Sequence, residues 1–194
     1  AFKLRALIFD LDGVIASTLP LHYDSWQRLS QEVAIPFTAE QYRLMQGLPR
    51  RKSMDIFLDG REVSEETAQA WMARKNNFFH ENLHHMTPAH SMPGAPELIR
   101  EAHASGLKIG LGSSSQNARR VLEKLELLPY FDVVADGNTV LNNKPAPDIY
   151  WWVAERLGVK PTEAVVFEDS ESGLQAALAG GFWAVAVGDA YTSQ

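Results

Sequence analysis

Five short, mostly apolar runs, at 4–9, 107–111, 131–134, 164–167 and 182–187, recur along this chain, and a helix-periodic segment precedes each of the last four. Runs of this length, followed by acidic residues or glycine, suit strands buried on both faces, as a parallel sheet uses them. Strand and helix alternating at this pitch is what right-handed crossovers produce. The expected fold class is therefore α/β, with a Rossmann-like parallel-sheet core. The helices can be read from their faces and stops. Ala95–Ala104 sets Leu98, Ile99 and Ala102 on one side and stops at Gly106. The segment 117–127 groups Val121, Leu122 and Leu125; Asp148–Leu157 follows Pro145 and Pro147 and ends at Gly158; 172–179 closes on Gly180-Gly181.

Residues 18–88 break that rhythm. They hold no convincing strand and read as helices at 21–33, 38–45, 51–58 and 64 to about 86. Ser64 can cap the last of these, and Glu65 and Glu66 suit the positive end of its dipole. The expected organisation is a core from 1–17 and 89–194 interrupted by an all-helical insert at 18–88. Composition narrows the chemistry. Across 194 residues, 45% hydrophobic content fits an ordinary globular protein, and a net charge of −6 argues against nucleic acid or an anionic membrane as partner. The absence of cysteine removes disulfides, thiol nucleophiles and cysteine-ligated metals. No apolar run approaches the roughly 18–20 residues of a bilayer span, and the opening residues lack a signal-peptide core, so a cytoplasmic address is expected.

Four polar segments fall at or just after expected strand ends. Asp10 and Asp12 follow the first run, where open α/β sheets bind ligands. Two carboxylates there can bind a cation, and one can act as nucleophile, although any D-x-D-G also allows an Asx turn or a helix cap. Glu168 and Asp169 end the fourth run and can converge on the first pair, because all strands of a parallel sheet finish on one edge. Carboxylates packed this closely repel unless a cation neutralises them, and an oxygen-only donor set favours Mg²⁺. A cap at Asp169 or Ser170 accounts for one of these residues and not for all. Ser113 and Ser114 open a helix after the second run, as a phosphate cradle or a plain N-cap. Lys144 can balance phosphate charge or face solvent. In the order D-x-D, Ser, Lys, Glu-Asp, the set spells phosphoryl transfer with an aspartate nucleophile and Mg²⁺.

On these residues the chain resembles the haloacid dehalogenase superfamily of phosphotransferases. The resemblance rests on Phe9-Asp10-Leu11-Asp12-Gly13-Val14-Ile15, Ser113, Lys144-Pro145-Ala146-Pro147-Asp148 and Glu168-Asp169-Ser170, and it covers nearly the whole chain. It implies that Asp10 becomes an aspartyl-phosphate and that Asp12 is the general acid and base. It implies Mg²⁺ held by Asp10, the main-chain carbonyl of Asp12, Glu168 and Asp169. Ser113, Ser114 and Lys144 would hold the transferring phosphoryl group.

The insert stands where that superfamily carries a cap. Thr18, His22, Trp26, Gly47-Leu48-Pro49-Arg50, Ser53 and Arg74-Lys75-Asn76 resemble the cap of its beta-phosphoglucomutase branch. The resemblance implies that Arg50 grips the phosphate that is not transferring, with Asn117 close to it. It also implies that His22 and Lys75 position the sugar and couple cap closure to acid/base catalysis. A second bidentate cationic clamp suits a bisphosphate. Read without the resemblance, Arg50 with Arg51 and Lys52 is a solvated basic turn, Lys75 faces solvent and His22 packs within the insert. His80, His84, His85 and His90 are scattered along or after one helix; His80 and His84 have the i, i+4 spacing that could bind a metal, but no metal site is read there. Trp151 and Trp152 read as packing residues.

Two departures stand out. Ser17 replaces a commonly acidic residue, and the chain stops soon after Val187-Gly188, where the superfamily usually adds a strand and helix. The expected activity is beta-phosphoglucomutase on a phosphorylated sugar, by a monomer, with a sugar-phosphate phosphatase as the alternative. A dehalogenase is disfavoured because Asp12 and the metal-binding acids serve phosphate chemistry. A non-catalytic module is disfavoured because a decayed site would have lost at least one of these residues.

Overall fold

The computed structural model describes residues 3–188. Residues 1–2 and 189–194, which the expected core includes, lie outside it. In chain order the strands are β1 (Ala6–Phe9), β2 (Lys108–Gly112), β3 (Val133–Ala135), β4 (Ala164–Glu168) and β5 (Trp183–Ala186). They form one sheet in the order β3-β2-β1-β4-β5, every pairing parallel. The first strand therefore lies at the centre. Its register sets Phe9 beside Leu111 on one side and Phe167 on the other. One residue further on, Asp10, Gly112 and Glu168 stand side by side on the carboxyl edge.

Among the described residues eight α-helices accompany the sheet: α1 (Leu19–Val33), α2 (Ala39–Met45), α3 (Arg50–Leu58), α4 (Glu65–Leu83), α5 (Ala95–Ala104), α6 (Ala118–Lys124), α7 (Asp148–Leu157) and α8 (Glu171–Ala179). Side chains alternate along a strand, so β1 feeds two layers. Leu7 and Phe9 join the cluster of Ile99, Ala102, Val121 and Leu122 from α5 and α6, while Ala6 and Ile8 join that of Ile149, Val153 and Ala176 from α7 and α8. The insert has a core of its own, built around Trp26, Leu29, Met54, Phe57, Met72 and Phe78. Phe79 and Leu83 of α4 instead reach the first sheet cluster, which roots the insert on the core. The two connections run together: Ser17 N donates to His90 O at 2.8 Å and Met92 N to Ile15 O at 2.7 Å.

Local chemistry explains the boundaries. Thr38 and Gln41 close a capping box on α2, and the Ser64 hydroxyl caps α4 as the sequence suggests. The helix read at 117–127 ends at Lys124, and the chain then turns through Glu126, at φ +58°, into a 3₁₀ turn at Leu128–Tyr130. The helix read to about 86 stops at Leu83. The fifth run differs most from expectation. Among the described residues β5 is an edge strand paired only to β4, and Trp183 and Val185 are exposed. Trp151 is also exposed, with Nε1 donating to Gly180 O at 3.0 Å, and Trp152 packs under the Arg156 guanidinium. Among the described residues no helix is long and apolar enough to cross a membrane.

Gly110 sits on β2 directly under α7, and a Cβ there would run into Val153 Cγ1 and meet Leu157 Cδ1 at 3.1 Å. Gly110→Ala should therefore cost about 1–3 kcal/mol from overpacking. In a Val153→Ala background that penalty should disappear, because the methyl group then fills the space vacated. Urea unfolding of the four proteins of this cycle measures it, and additive losses would refute the close packing of α7 on β2.

Candidate active site

The carboxyl edge of the sheet assembles the first half of the site. Lys144 is fully buried, and its ammonium donates to Asp10 Oδ1 at 2.7 Å and to Glu168 Oε1 at 2.5 Å. Tyr150, on α7, donates its hydroxyl to the same Glu168 oxygen at 2.6 Å. The other oxygen, Oε2, accepts from the backbone of Asp169 and Ser170 and from the Ser170 hydroxyl. Glycine makes this possible, since a Cβ at Gly173 would collide with the Glu168 carboxylate and one at Gly13 with that of Asp169.

Carboxylate oxygens of Asp10, Glu168 and Asp169 lie within 4.8 Å of one another. One ammonium against three carboxylates leaves excess negative charge. Burial and the neighbouring Glu168 push Asp10 well above the usual aspartate range, against the pull of Lys144. The same two causes push Asp169 up to about 7. Burial raises Glu168 as well, but Lys144 and its hydrogen bonds overcome that and hold it low. An all-oxygen cluster with unbalanced negative charge suits a hard divalent cation, so the residues present fit Mg²⁺. Asp12 sends its side chain elsewhere, so among these four acids it is the one outside the cluster.

Asp12 faces the insert. Its Oδ1 accepts from Thr18 Oγ1 at 2.5 Å and lies 3.4 Å from His22 Nε2. Lys75, buried in α4, approaches His22 Nδ1 at 2.8 Å, and the His22 ring stacks on Phe79 at 4.0 Å. The ionised Asp12 carboxylate can only accept, so Nε2–H is turned toward it and His22 Nδ1 is left to accept from Lys75. Burial raises the Asp12 carboxyl, yet His22, Thr18 and Lys75 overcome it and hold the group low. Burial and Lys75 hold His22 below its ordinary value, and burial with Arg50 brings Lys75 down to about 7. The solvent-facing reading of Lys75 is thereby excluded.

Between the two halves lies a pocket that Asp10, Asp12 and Asp169 line on the core side. His22, Trp26, Gly47, Arg50, Ser53 and Lys75 line it from the insert, and Ser114 and Asn117 from the loop that opens α6. Trp26 belongs to the insert core, with the Lys75 ammonium 5.4 Å from its ring. Ser53 donates to Pro49 O at 3.3 Å. Gly47, at φ +75°, presses its loop onto Ser170 and Ser172, where a Cβ would not fit. Arg50 Nη2 donates to Asn76 Oδ1 at 2.8 Å, and Asn117 Nδ2 donates to the same oxygen at 3.0 Å. Ser113 is buried below, its Oγ accepting from Ser115 N. Ser114 Oγ is buried without a hydrogen-bond partner among the described residues.

Several contributors carry no signal in the sequence. Tyr150 looks like any apolar position of α7, and Tyr42, which lines the pocket and donates to Leu19 O at 2.6 Å, looks like any helix aromatic. His80 does not pair with His84 as ligands would; it meets Asn117 at 2.8 Å.

A family model for haloacid dehalogenase-like hydrolases matches residues 7–187. The beta-phosphoglucomutase of Bacillus subtilis is 34% identical over 189 residues, covering 95% of this chain and 84% of that protein. The phosphorylated carbohydrates phosphatase of Thermotoga maritima is also 34% identical, over 183 residues, covering 92% of this chain and 82% of that one. The crystal structure of a beta-phosphoglucomutase from Clostridium difficile superposes with a TM-score of 0.92 at 33% identity, covering 96% of this chain and 86% of that one.

The charge balance at Asp169 is testable. Its acid strength falls from the ordinary value of 3.8 to about 7 on folding. The folded chain therefore binds its proton more readily, and ionising it costs stability as pH rises through that window. In chelator, Asp169→Asn should be more stable than wild type above about pH 7 and lose that advantage toward about pH 4. Saturating Mg²⁺ near neutral pH should narrow the gap by stabilising only wild type, by about 1–3 kcal/mol. Thermal melts across pH, with and without the cation, measure both, and equal stabilisation of the two proteins would refute the cation site.

Proposed function

The chain belongs to the haloacid dehalogenase-like hydrolase family, and from that premise we propose that it is a Mg²⁺-dependent beta-phosphoglucomutase. It is a phosphotransferase or phosphatase of that superfamily; the mutase activity is the finer reading. It would interconvert beta-glucose 1-phosphate and glucose 6-phosphate through beta-glucose 1,6-bisphosphate. The observation that carries this reading is one pocket lined by two chemically different sets of groups. Asp10 and Asp12 supply carboxylates, and Arg50 and Asn117 supply donors. Hydrolysis of a monophosphate draws on the first set, whereas a bisphosphate also calls for the second.

The steps follow from the residues. With phosphate carried on Asp10, the substrate hydroxyl attacks phosphorus, the bond from phosphorus to the Asp10 oxygen breaks, and Asp12 takes the hydroxyl proton. Its low-lying carboxyl, held ionised by His22 and Thr18, is the form this first step needs. After the bisphosphate reorients, Asp10 attacks the other phosphorus and Asp12 returns the proton to the departing sugar oxygen. Lys144 holds Asp10 in place for attack, while Ser113, Ser114 and Lys144 supply donors to the phosphoryl oxygens. Mg²⁺, held by Asp10, Glu168, Asp169 and the Asp12 carbonyl, would neutralise charge on the transferring group. Arg50 and Asn117 grip the idle phosphate, and the remaining insert residues His22, Trp26, Gly47, Ser53 and Lys75 shape the sugar site and exclude water. The reading includes residues 18–88 as the cap, a cytoplasmic address and a monomer whose own insert serves as lid.

The Thermotoga maritima phosphatase, as similar as the mutase, favours a second reading in which water replaces the sugar hydroxyl. One assay separates them. Purified protein receives beta-glucose 1-phosphate, Mg²⁺ and a trace of the bisphosphate, and both products are followed together. Glucose 6-phosphate should form far faster than free phosphate, and phosphate release without isomerisation would establish the phosphatase instead. Asp10→Asn should abolish either activity. Arg50→Ala should lower kcat/KM on the sugar phosphate by about 100-fold, in keeping with about 3 kcal/mol for a lost charged contact. Its effect on p-nitrophenyl phosphate should be much smaller, and equal losses on both substrates would refute the distal clamp.

A further inference from the structure

Arginine has no acceptor, so the Asn76 atom that Arg50 Nη2 meets at 2.8 Å must be oxygen. The Asn117 atom 3.0 Å from that same oxygen must then be the NH₂ group. This turns Asn117 Oδ1 away from Asn76 and toward His80 Nε2, 2.8 Å away. Two acceptors cannot face each other at that distance, so His80 Nε2 carries the proton and donates. The 3.3 Å approach of Asn76 Nδ2 to the same ring nitrogen then sets two donors side by side and makes no bond. One consistent chain results: His80 donates to Asn117, and Asn117 and Arg50 both donate to Asn76.

The two ends of a carboxamide are nearly equal in shape and opposite in hydrogen-bonding sense. A free Asn117 amide can present either end to the pocket it lines. Oxygen there would repel a phosphate, whereas NH₂ would bind it. We propose that His80 is a positioning residue that locks the Asn117 amide with its NH₂ toward the pocket and thereby sets affinity for the substrate's second phosphate. The proposal rests on the reading above, in which Arg50 and Asn117 hold that phosphate. It adds a link between the two parts of the chain, because His80 lies on α4 of the insert and Asn117 immediately precedes α6 of the core. The amide is oriented where these two helices meet. Neither the i, i+4 spacing to His84 nor a metal is involved.

His80→Leu removes the donor at similar bulk, and His80→Gln keeps an N–H at about the same reach. His80→Leu should raise KM for beta-glucose 1-phosphate about five- to tenfold, the range of one hydrogen bond, and change kcat less. The loss in kcat/KM should exceed that on p-nitrophenyl phosphate by a similar factor, and His80→Gln should recover most of it. In an Asn117→Ala background His80→Leu should add almost nothing, because its action passes through Asn117. Equal losses on both substrates, or an undiminished His80→Leu effect without Asn117, would overturn the proposal. The tautomer of His80, read from imidazole ¹⁵N shifts of the wild-type protein, tests the lock without any substrate. An Nε2–H tautomer is expected, and an Nδ1–H tautomer would overturn the lock even if folding prevented the variant assays. Should the wild type act on small phosphates and on no sugar phosphate, the functional reading fails while the tautomer still decides the lock.

Discussion

The buried ammonium of Lys144 is the contact on which the site depends. A parallel sheet whose central strand ends in Asp10 and whose neighbour ends in Glu168 forces two carboxylates together on a water-poor edge. Removing charges from water is expensive unless they are paired and hydrogen-bonded. Lys144 bridges both acids, and burial, which alone would discharge the lysine, is overcome by their attraction, so its pKa rises and it stays protonated. Tyr150 and the Ser170 hydroxyl and amide donate to Glu168 as well. Glu168 is thus held ionised, while Asp10 and Asp169 are pushed up by the uncompensated negative charge. The asymmetry gives the carboxylates of one cluster different proton affinities.

The same division of labour appears across the gap between core and insert. Asp12 lies only two residues from Asp10, but its side chain belongs to a different electrostatic neighbourhood, set by Thr18, His22 and Lys75. Two carboxylates within one tight turn are driven in opposite directions, Asp10 up and Asp12 down. Pairs of acids whose surroundings push them apart are how one site hosts distinct roles. Because His22 and Lys75 come from the insert, the character of Asp12 depends on how closely insert and core are held together.

Much of this was legible in the chain because it is a matter of strand ends. Asp10, Ser113, Lys144 and Glu168 stand out since each follows an apolar run or the loop after one, and a parallel sheet must gather them. The insert was legible as a break in period, and its helix starts at Thr38 and Ser64 as hydroxyl caps. What escaped is what depends on packing between distant segments. Tyr150 reaches Glu168 and Tyr42 reaches the pocket because α7 and α2 happen to be docked there, and neither side chain differs by pattern from a core aromatic. His80 was visible only as half of a spurious metal spacing. Its partner, Asn117, is 37 positions away on another part of the fold. The exposure of Trp183 and Val185 on β5 was likewise hidden, since an apolar run reads as buried whether or not other residues cover it.

The distance between mutase and phosphatase in such a fold is small, because both share every step up to the aspartyl-phosphate. The difference must lie in what reaches that intermediate first, water or a sugar hydroxyl, and the core cannot make that choice. Core residues govern reactivity, whereas the donors that recognise the remainder of the substrate come mainly from the insert. Arg50, Asn76 and Asn117 form a polar seam in which two donors share a single acceptor, Asn76 Oδ1. An incoming phosphate offers these donors several oxygens in place of one, so ligand binding can displace Asn76 without leaving a buried donor unpaired. Under the proposed function, a substrate carrying a second anionic group would exploit this seam, and selectivity for it would follow from a hydrogen-bond exchange at the insert.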